Sequence, residues 1–385
     1  MSRDALAPSY DAGGLAGVLP RVAASLGALS LPEHWQPADA LPPARQAIVV
    51  LADGFGAELL RRRSGHAPFL RAVLNDQPDD VPRALTAGFP STTATSMGTF
   101  GTGLPPGAHG LVGYQLRIPG TDRLFNELDW IDGPDPLQWQ PHPTIFERVA
   151  AAGTPVTMVG PGKFDGSGLT RAALRGARFA GARDLPTAVD AALAAVRADD
   201  RSLVYLYWGA IDSTGHQFGC ESWQWGDAVE AFDGEMRRLA RSLPGGTSLT
   251  VTADHGMIDL PDSAKVDVVD EPELTDGVAI VGGEMRAAHL YCRPGAAADV
   301  HAAWETRFGD DAWVMSRESA VAAGLFGSVA DSVLPRIGDV VVAMRGVVGA
   351  YDSRVMRPRV SSLIGQHGSL TDAEQLVPMI HLRAH

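Results

Sequence analysis

Lysine, cysteine and long apolar runs are all scarce in this sequence of 385 residues. Its two lysines are Lys163 and Lys265, and no run of basic residues exceeds the three arginines at 61–63. The net charge is −13, so the chain lacks the clustered basic surface that binding to a phosphate backbone requires. The sequence therefore argues against a nucleic-acid polymer as the partner.

The cysteine and hydropathy patterns exclude further classes of protein. Cys220 and Cys292 are the only cysteines, and their spacing fits neither a zinc finger nor a redox pair. No run of about 18 apolar residues could span a bilayer, and the start of the chain lacks the apolar segment of a signal peptide. We therefore expect a soluble, cytoplasmic protein without a membrane partner, whose oligomeric state the sequence leaves open.

The composition that remains is that of a globular α/β protein. Hydrophobic residues make up 45% of the chain and charged residues 20%. Apolar runs that end in polar or glycine-rich turns predict strands at 47–51, 156–159, 203–207 and 249–251. Segments of helical period lie between them, at 144–152, 185–197 and 222–243. This alternation favours a largely parallel sheet with helices on both faces.

We predict three parts along the chain. Residues 1–44, with a helix near 14–26 and a proline-rich connection, form a lead-in packed on the main domain. Residues 45–260 and 362–385 form the catalytic α/β domain, and residues 261–361 form a small inserted α+β lobe. The lobe is inferred from a change in the pattern of predicted elements, with strand-like segments at 288–292, 313–315 and 339–344 around a helix at 297–307.

Carboxylates and imidazoles follow three of the predicted strands. Asp53 ends the first strand, and Asp212 and His216 follow the third. Asp254 and His255 follow the fourth. The carboxyl ends of parallel strands open onto the ligand crevice of an α/β sheet, so these side chains could converge there. Each position alone also has a structural interpretation, since Asp53 could equally cap the next helix.

A hydroxyl-rich segment and a distant histidine extend this pattern. Pro90 precedes five hydroxyl residues in six positions, which predicts the start of a helix. Such a start could bind an anion and supply a hydroxyl that attacks phosphorus, although plain capping is commoner. His367 lies in a glycine-rich loop far downstream. Three carboxylates and three imidazoles would make two sets of zinc ligands, each with an open position for substrate.

The order and spacing of these residues resemble the alkaline-phosphatase superfamily, most closely its type I phosphodiesterase and nucleotide pyrophosphatase branch. The resemblance covers about residues 47–368 and implies an alkaline-phosphatase-like α/β/α sandwich with a mostly parallel sheet. It implies Thr93, in Pro90-Ser-Thr-Thr93, as the nucleophile. It also implies two Zn²⁺ ions, with Mn²⁺ as an alternative, held by Asp53, Asp254 and His255 and by Asp212, His216 and His367.

Two positions depart from the pattern of that branch. The residues after Thr93 are Ala-Thr-Ser-Met instead of Phe-Pro-Asn-His. Tyr114 replaces an Asn whose amide helps to hold a non-bridging phosphate oxygen, so we expect its phenol to bind substrate as a neutral donor. His109, in the turn after the nucleophile helix, is expected to be structural.

The resemblance implies a two-metal hydrolase that cleaves small phosphodiesters or nucleotide pyrophosphates through a phospho-threonine intermediate. The nearest alternative is a phosphomonoesterase or phosphonate hydrolase, and a phosphomutase or a catalytically silent phosphate-binding protein is more remote. A sulfatase is disfavoured because no Cys-x-Pro-x-Arg element occurs. We expect diesters to be preferred because residues 89–103 contain no Lys or Arg, although an arginine of the lobe could reach the site.

Overall fold

The computed structural model describes residues 8–384, and a seven-stranded sheet lies at its centre. Leu376–Arg383 runs antiparallel to both of its neighbours. The five strands from Thr247–Thr252 to Arg178–Gly181 are parallel to one another. The sheet is therefore mostly parallel, as predicted. In spatial order its strands are Ala84–Thr86, Leu376–Arg383, Thr247–Thr252, Gln46–Ala52, Ser202–Trp208, Val156–Gly160 and Arg178–Gly181.

Helices cover the central strands and bury them. Every residue of Gln46–Ala52 and of Thr247–Thr252 is buried, which requires cover on both faces of the sheet. None of the helices in residues 8–384 is long and apolar enough to cross a membrane. The α-helices of the main domain and lead-in are Val18–Ser25, Ala57–Arg62, Pro68–Asp76, Thr93–Thr102, Pro106–His109, Pro136–Trp139, Ile145–Ala151, Gly168–Ala173, Leu185–Ala198, Ala210–Phe218, Trp223–Arg241 and Asp372–Gln375.

Side-chain caps fix where the predicted helices begin. The Thr144 hydroxyl accepts from the N–H of Glu147, whose carboxylate accepts from the N–H of Thr144 in return. Asp184 and Ser222 cap the next two predicted helices with their side chains. The observed helices therefore lie within one or two residues of the predicted ones.

The lead-in packs against the edge of the main sheet. The helix predicted near 14–26 is a 3-10 turn, Leu15–Gly17, followed by the α-helix Val18–Ser25. Gly14 forms a bridge to Thr86 at the edge strand. The first seven residues of the predicted lead-in, and His385 of the predicted catalytic domain, lie outside the described residues.

The lobe is built on a separate antiparallel sheet of four strands, in the order Val278–Glu284, Ala287–Cys292, Val340–Met344 and Ala312–Ser316. Its helices are Pro272–Thr275, Ala297–Phe308, Arg317–Ala322 and Pro358–Ser361. Trp304 and Phe308 are buried in a core of its own. The strand Val278–Glu284 was not predicted, because Gly282 and Gly283 interrupt its apolar run. The domain boundaries themselves remain a prediction.

Three pairs of short strands complete the fold. Ile258–Asp259 pairs with Gly365–Gln366, which brings the chain back from the lobe to the main domain. The other pairs are Gln115–Arg117 with Leu124–Asn126, and Lys265–Asp267 with Gly349–Tyr351.

Candidate active site

The candidate site lies at the edge where three adjacent central strands end. These strands pair in parallel and in register, so the residues that follow them meet at one place. Asp53 follows Gln46–Ala52 directly, and the Asp254–His255 pair lies just beyond Thr247–Thr252. Asp212 and His216 lie one turn apart in Ala210–Phe218, the helix that begins after the third of these strands, Ser202–Trp208.

The candidate nucleophile and the last histidine reach the same place from elsewhere. Thr93 is the first residue of its helix, with Thr92 as the N-cap, and its hydroxyl lies 3.2 Å from His255 Nε2. The His367 ring stacks on the ring of His255, with centroids 3.6 Å apart. The structure therefore brings Thr93 together with all six of the predicted ligands.

Two groups of these side chains could each hold a metal ion, because their ligand atoms lie within 4.8 Å of one another. One group, Asp212 with His216 and His367, is the set predicted from the sequence. The other contains Asp53 and His255 together with Asp212. Asp212 Oδ1 lies 3.3 Å from His216 Nε2, and Asp53 Oδ1 lies 3.4 Å from His255 Nε2. Asp212 is therefore a member of both groups.

Asp254 faces the second group with one oxygen. Its Oδ1 accepts from the N–H groups of Gly54 and His255, both at 3.1 Å, while Oδ2 lies 3.5 Å from His255 Nε2. Gly54 has a φ of +70°, and a Cβ there would lie 2.9 Å from the Cβ of Asp212. Only glycine fits this turn, because φ is positive and a side chain here would collide with Asp212.

All three imidazoles are held by backbone carbonyls through Nδ1. His216 contacts Gly365 O at 2.7 Å, His367 contacts Ser91 O at 3.0 Å and His255 contacts Gly256 O at 2.9 Å. A carbonyl only accepts, so Nδ1 carries the proton and Nε2 presents its lone pair to the site. This arrangement is typical of histidines that bind a metal through Nε2.

Three carboxyl groups are crowded together at this edge, each with a buried oxygen. Burial first, and then the charges of Asp254 and Asp212, raise the pKa of Asp53 well above its ordinary value. Burial raises the pKa of Asp254 to about 7. One oxygen of each of these three carboxylates is buried without a hydrogen-bond partner among the described residues. Free carboxylate oxygens beside neutral imidazoles suit divalent metal ions such as Zn²⁺.

Tyr207 belongs to this site although the sequence placed it in a core strand. Its hydroxyl donates to Asp53 Oδ2, which leaves Oδ1 facing the other ligands. The apolar run around Tyr207 carries no sign of this contact, because a phenol in a strand is commonly a packing residue.

His109 lies away from the ligands. Its ring is fully buried, and burial lowers its pKa to about 3. The Leu111 N–H donates to Nδ1 at 3.1 Å, so Nε2 carries the proton and donates to the Thr99 hydroxyl at 3.0 Å. These contacts tie the turn after the helix Thr93–Thr102 to the helix itself, in keeping with the structural role expected for this histidine.

Four of the candidate ligands line a cleft of about 700 Å³ together with Thr93 and Tyr114; these four are Asp53, Asp212, His216 and His367. Lys163 is the only permanently positive side chain among the described residues that line it. No lobe arginine takes part in this lining, which instead includes the lobe residue Glu284. The outer walls are largely apolar, and include Leu128, Phe164, Trp208, Met356, Val360 and Leu363.

Comparison with known proteins gives a family model that matches most of the chain. Residues 47–370 match the family model of the type I phosphodiesterase / nucleotide pyrophosphatase family. A segment of 64 residues is 42% identical to ectonucleotide pyrophosphatase/phosphodiesterase family member 7 of Mus musculus. That segment spans 15% of this chain and 15% of the mouse protein, and the protein of Rattus norvegicus matches to the same extent.

Solved structures share the fold at low sequence identity. Murine ectonucleotide pyrophosphatase / phosphodiesterase 5, as an inactive threonine-to-alanine variant in complex with AMP, superimposes with a TM-score of 0.69 at 18% identity, covering 87% of each chain. Phosphonoacetate hydrolase from Sinorhizobium meliloti in complex with phosphonoformate gives 0.68 at 22% identity, covering 89% of this chain and 91% of that chain.

Proposed function

Because this chain belongs to the type I phosphodiesterase / nucleotide pyrophosphatase family, we propose that it is a two-metal phosphodiesterase with Thr93 as its nucleophile. The observation that carries the proposal is the position of the Thr93 hydroxyl. It lies at a helix start, 3.2 Å from His255 Nε2 and among carboxylates whose buried oxygens lack partners. A hydroxyl at such a place is suited to attack an anionic phosphoryl group.

The residues fit two divalent ions. Asp212, His216 and His367 would hold one ion, and Asp212 also lies near Asp53 and His255. Asp53 and His255 would hold the other ion together with Asp254, whose Oδ2 lies 3.5 Å from His255 Nε2. We propose Zn²⁺, with Mn²⁺ as an alternative, because both accept mixed oxygen and nitrogen ligands. Bound divalent ions would lower the pKa of a nearby hydroxyl or water and neutralise charge on the phosphoryl oxygens.

The covalent step assigns distinct tasks to the residues of the chain. Thr93 Oγ1 would attack phosphorus as the bond to the leaving oxygen breaks, giving a phospho-threonine that water then hydrolyses. The N–H groups at the start of the helix Thr93–Thr102 are oriented to receive phosphoryl oxygens. Tyr114 would donate a hydrogen bond to a non-bridging oxygen, since burial raises the pKa of its phenol and keeps it protonated.

The shape of the cleft supports a diester whose alcohol arm is apolar or aromatic. The outer walls are built largely from apolar side chains, which can pack against an aryl group or a nucleoside base. The family and the inactive threonine variant of the murine structural neighbour add support for a threonine-dependent reaction on phosphoesters. A cytoplasmic location remains a prediction from the sequence.

A parallel assay tests this function. The zinc-loaded enzyme should hydrolyse bis-p-nitrophenyl phosphate and p-nitrophenyl thymidine monophosphate faster than p-nitrophenyl phosphate at one pH. Phosphonoacetate is the fourth substrate, because a phosphonoacetate hydrolase shares the fold. Faster turnover of the monoester or of phosphonoacetate would replace the diester assignment, and activity with none of the four substrates would argue against a phosphoester hydrolase.

A further inference from the structure

We propose that Ser96 is a positioning residue for the reaction, which holds the hydroxyl of Thr93 in place for attack on phosphorus. The inference rests on the proposed function, because it concerns the nucleophile of that site. Ser96 lies in the segment Ala-Thr-Ser-Met that follows Thr93 and departs from the usual pattern of the branch. Its contact is therefore read from the structure of this chain, since no sequence pattern singled it out.

Ser96 joins the nucleophile helix to the candidate ligands. Its side chain is fully buried, and its Oγ donates to the backbone carbonyl of Asp254 at 2.7 Å. The next residue, His255, has its Nε2 3.2 Å from the hydroxyl of Thr93. One hydrogen bond therefore ties the helix that carries the nucleophile to the segment that carries two of the candidate ligands.

This hydrogen bond lies on the same face of the helix as the nucleophile. Ser96 follows Thr93 by three residues, and residues three apart in a helix are neighbours on one face. Apolar packing around Met97 and Phe100 sets where the helix lies, but apolar contacts have no preferred direction. A hydrogen bond has a preferred length and angle. The contact of Ser96 therefore restricts how the first turn is rotated, and with it where the Thr93 hydroxyl points.

The start of the helix has no side-chain cap of its own. Its N-cap, Thr92, makes no side-chain hydrogen bond to the free N–H groups of the first turn. The residue before it, Ser91, donates through its N–H to Gly368 O at 3.0 Å and through its hydroxyl to Ser369 O at 2.7 Å. These bonds fix the chain before the helix, so Thr93 lies between two points of attachment.

The neighbouring hydroxyl of Thr95 provides a matched comparison. Thr95 is as fully buried as Ser96 and belongs to the same helix. Its Oγ1, however, has no hydrogen-bond partner among the described residues. If Ser96 only stabilised the fold, its replacement would weaken all ligands alike and reduce the metal content. A positioning role predicts a loss only where the Thr93 hydroxyl takes part.

The equilibrium test compares orthovanadate with inorganic phosphate on the zinc-loaded protein. Vanadium accepts a fifth oxygen, so the Thr93 hydroxyl can complete a complex that resembles the geometry of phosphoryl transfer, whereas phosphate binds without that bond. Ser96→Ala should weaken vanadate binding about 10- to 100-fold, because a small misplacement of a reacting group costs about that much. The Kd of phosphate and the zinc content should stay as in the wild type.

The controls separate this proposal from the proposed function. Thr93→Ala should lose the preference for vanadate, and Thr95→Val should bind both anions like the wild type. An unchanged vanadate Kd in Ser96→Ala, an equal loss for phosphate, or the same effect in Thr95→Val would overturn the proposal. Vanadate binding that survives Thr93→Ala would overturn the nucleophile assignment with it. A wild type that binds vanadate through Thr93 but hydrolyses no ester would refute the proposed function alone.

A kinetic test adds rescue by a conservative variant. Single-turnover release of p-nitrophenol from bis-p-nitrophenyl phosphate should slow in Ser96→Ala by the same factor as vanadate binding weakens. Ser96→Thr keeps the hydroxyl and should restore most of the rate. Ser96→Cys, a weaker donor of similar size, is the second variant if the alanine variant does not fold, and it should lose vanadate affinity in the same direction. Wild-type vanadate affinity in a folded Ser96→Cys protein would also overturn the proposal.

Discussion

The edge of the main sheet and the lobe both line the cleft, but their buried charged groups differ in whether they have a partner. At the sheet edge, Asp53, Asp212 and Asp254 each keep a buried oxygen without a hydrogen-bond partner among the described residues. In the lobe, the fully buried Arg286 is paired with Glu374, whose oxygens lie 3.1 Å and 2.7 Å from its nitrogens. Unpaired buried charge marks a place for a ligand, whereas paired buried charge marks a joint between parts of the fold.

That joint lies close to the metal-binding loop. Arg286 also donates to the backbone carbonyls of Gly346 and Val348, at 2.5 Å and 2.6 Å. Glu374 in turn accepts from the N–H of Ser369 at 3.0 Å, two residues after His367. The lobe is therefore fixed to the main domain at the segment that delivers one of the candidate ligands, and at the strand that ends in Glu284.

The largest effect should come from the sheet edge, in Thr93→Ala. Without the nucleophile the covalent step has no substitute, so kcat should fall by about 10⁴-fold or more while the thermal midpoint stays close to that of the wild type. The matched control is Thr95→Ala, a buried hydroxyl of the same helix, which should retain most of the activity. Retained turnover in Thr93→Ala together with loss in Thr95→Ala would reassign the nucleophile.

Metal removal should abolish activity and lower the thermal midpoint, because bound cations offset the repulsion among the carboxylates. Zinc should restore both. Since Asp212 lies in both ligand groups, Asp212→Asn should reduce the occupancy of both ions, whereas His216→Ala should affect mainly one. Elemental analysis that finds well under one metal per chain in fully active protein would contradict the metal assignment.

Breaking the ion pair of Arg286 with Glu374 should reduce stability rather than act on catalysis. Arg286→Met leaves Glu374 buried without its cation, and the free energy of unfolding should fall by about 3–5 kcal/mol. The double variant Arg286→Met/Glu374→Met should recover part of that loss, because it removes both charges. Urea unfolding of the three proteins measures this, and a single variant as stable as the wild type would show that the pair is not a joint.

The same contrast explains what the sequence could predict. The candidate ligands at 53, 212, 216, 254 and 255 could be named because each follows a strand, and chain position alone places the ends of parallel strands together. Glu284 and Arg286 could not be named, because the residues that they contact, His367 and Glu374, lie far away in the chain and only the docked lobe brings them together.

Individual contacts at the sheet edge could not be predicted from the sequence either. Asp212 was predicted for one ion, but its position near both ligand groups depends on how the helix Ala210–Phe218 turns toward Gly54. The hydrogen bond from Tyr207 to Asp53 depends on the register of two neighbouring strands. Period and spacing locate elements, but they do not fix such registers.

A pH titration of the metal-free protein would test the unpaired carboxyl groups of the sheet edge, with a smaller expected effect. The pKa of Asp254 is about 7 in the fold against 3.8 ordinarily, so its stabilising contribution is complete below about pH 4 and is lost as the pH rises through about 7. The pKa of His367 is held well below 6.5, so its own contribution is lost in the opposite direction, as the pH falls below that value.

Comparison with Asp254→Asn separates these two effects, because both proteins retain His367. The metal-free wild type should lose several degrees more than the variant in its thermal midpoint between pH 5 and pH 8. Zinc should remove this difference in slope, since a bound cation favours the ionised carboxylate at both pH values. The same change of thermal midpoint with pH in the two metal-free proteins would mean that the fold does not raise the pKa of Asp254.

The smallest expected effect belongs to Tyr114, which faces the lobe from the main domain. Its phenol is a neutral donor, and one neutral hydrogen bond contributes about 0.5–1.5 kcal/mol, so Tyr114→Phe should lower kcat/KM for a diester only about three- to tenfold. Asn126 partly offsets the effect of burial on the pKa of the phenol, as a donor to its oxygen would, so the O–H of Tyr114 remains free to donate to a substrate. The loss should be similar for p-nitrophenyl methyl phosphate and p-nitrophenyl phosphate, because the donor is uncharged. An unaltered diester reaction in Tyr114→Phe would remove Tyr114 from the list of substrate-binding residues.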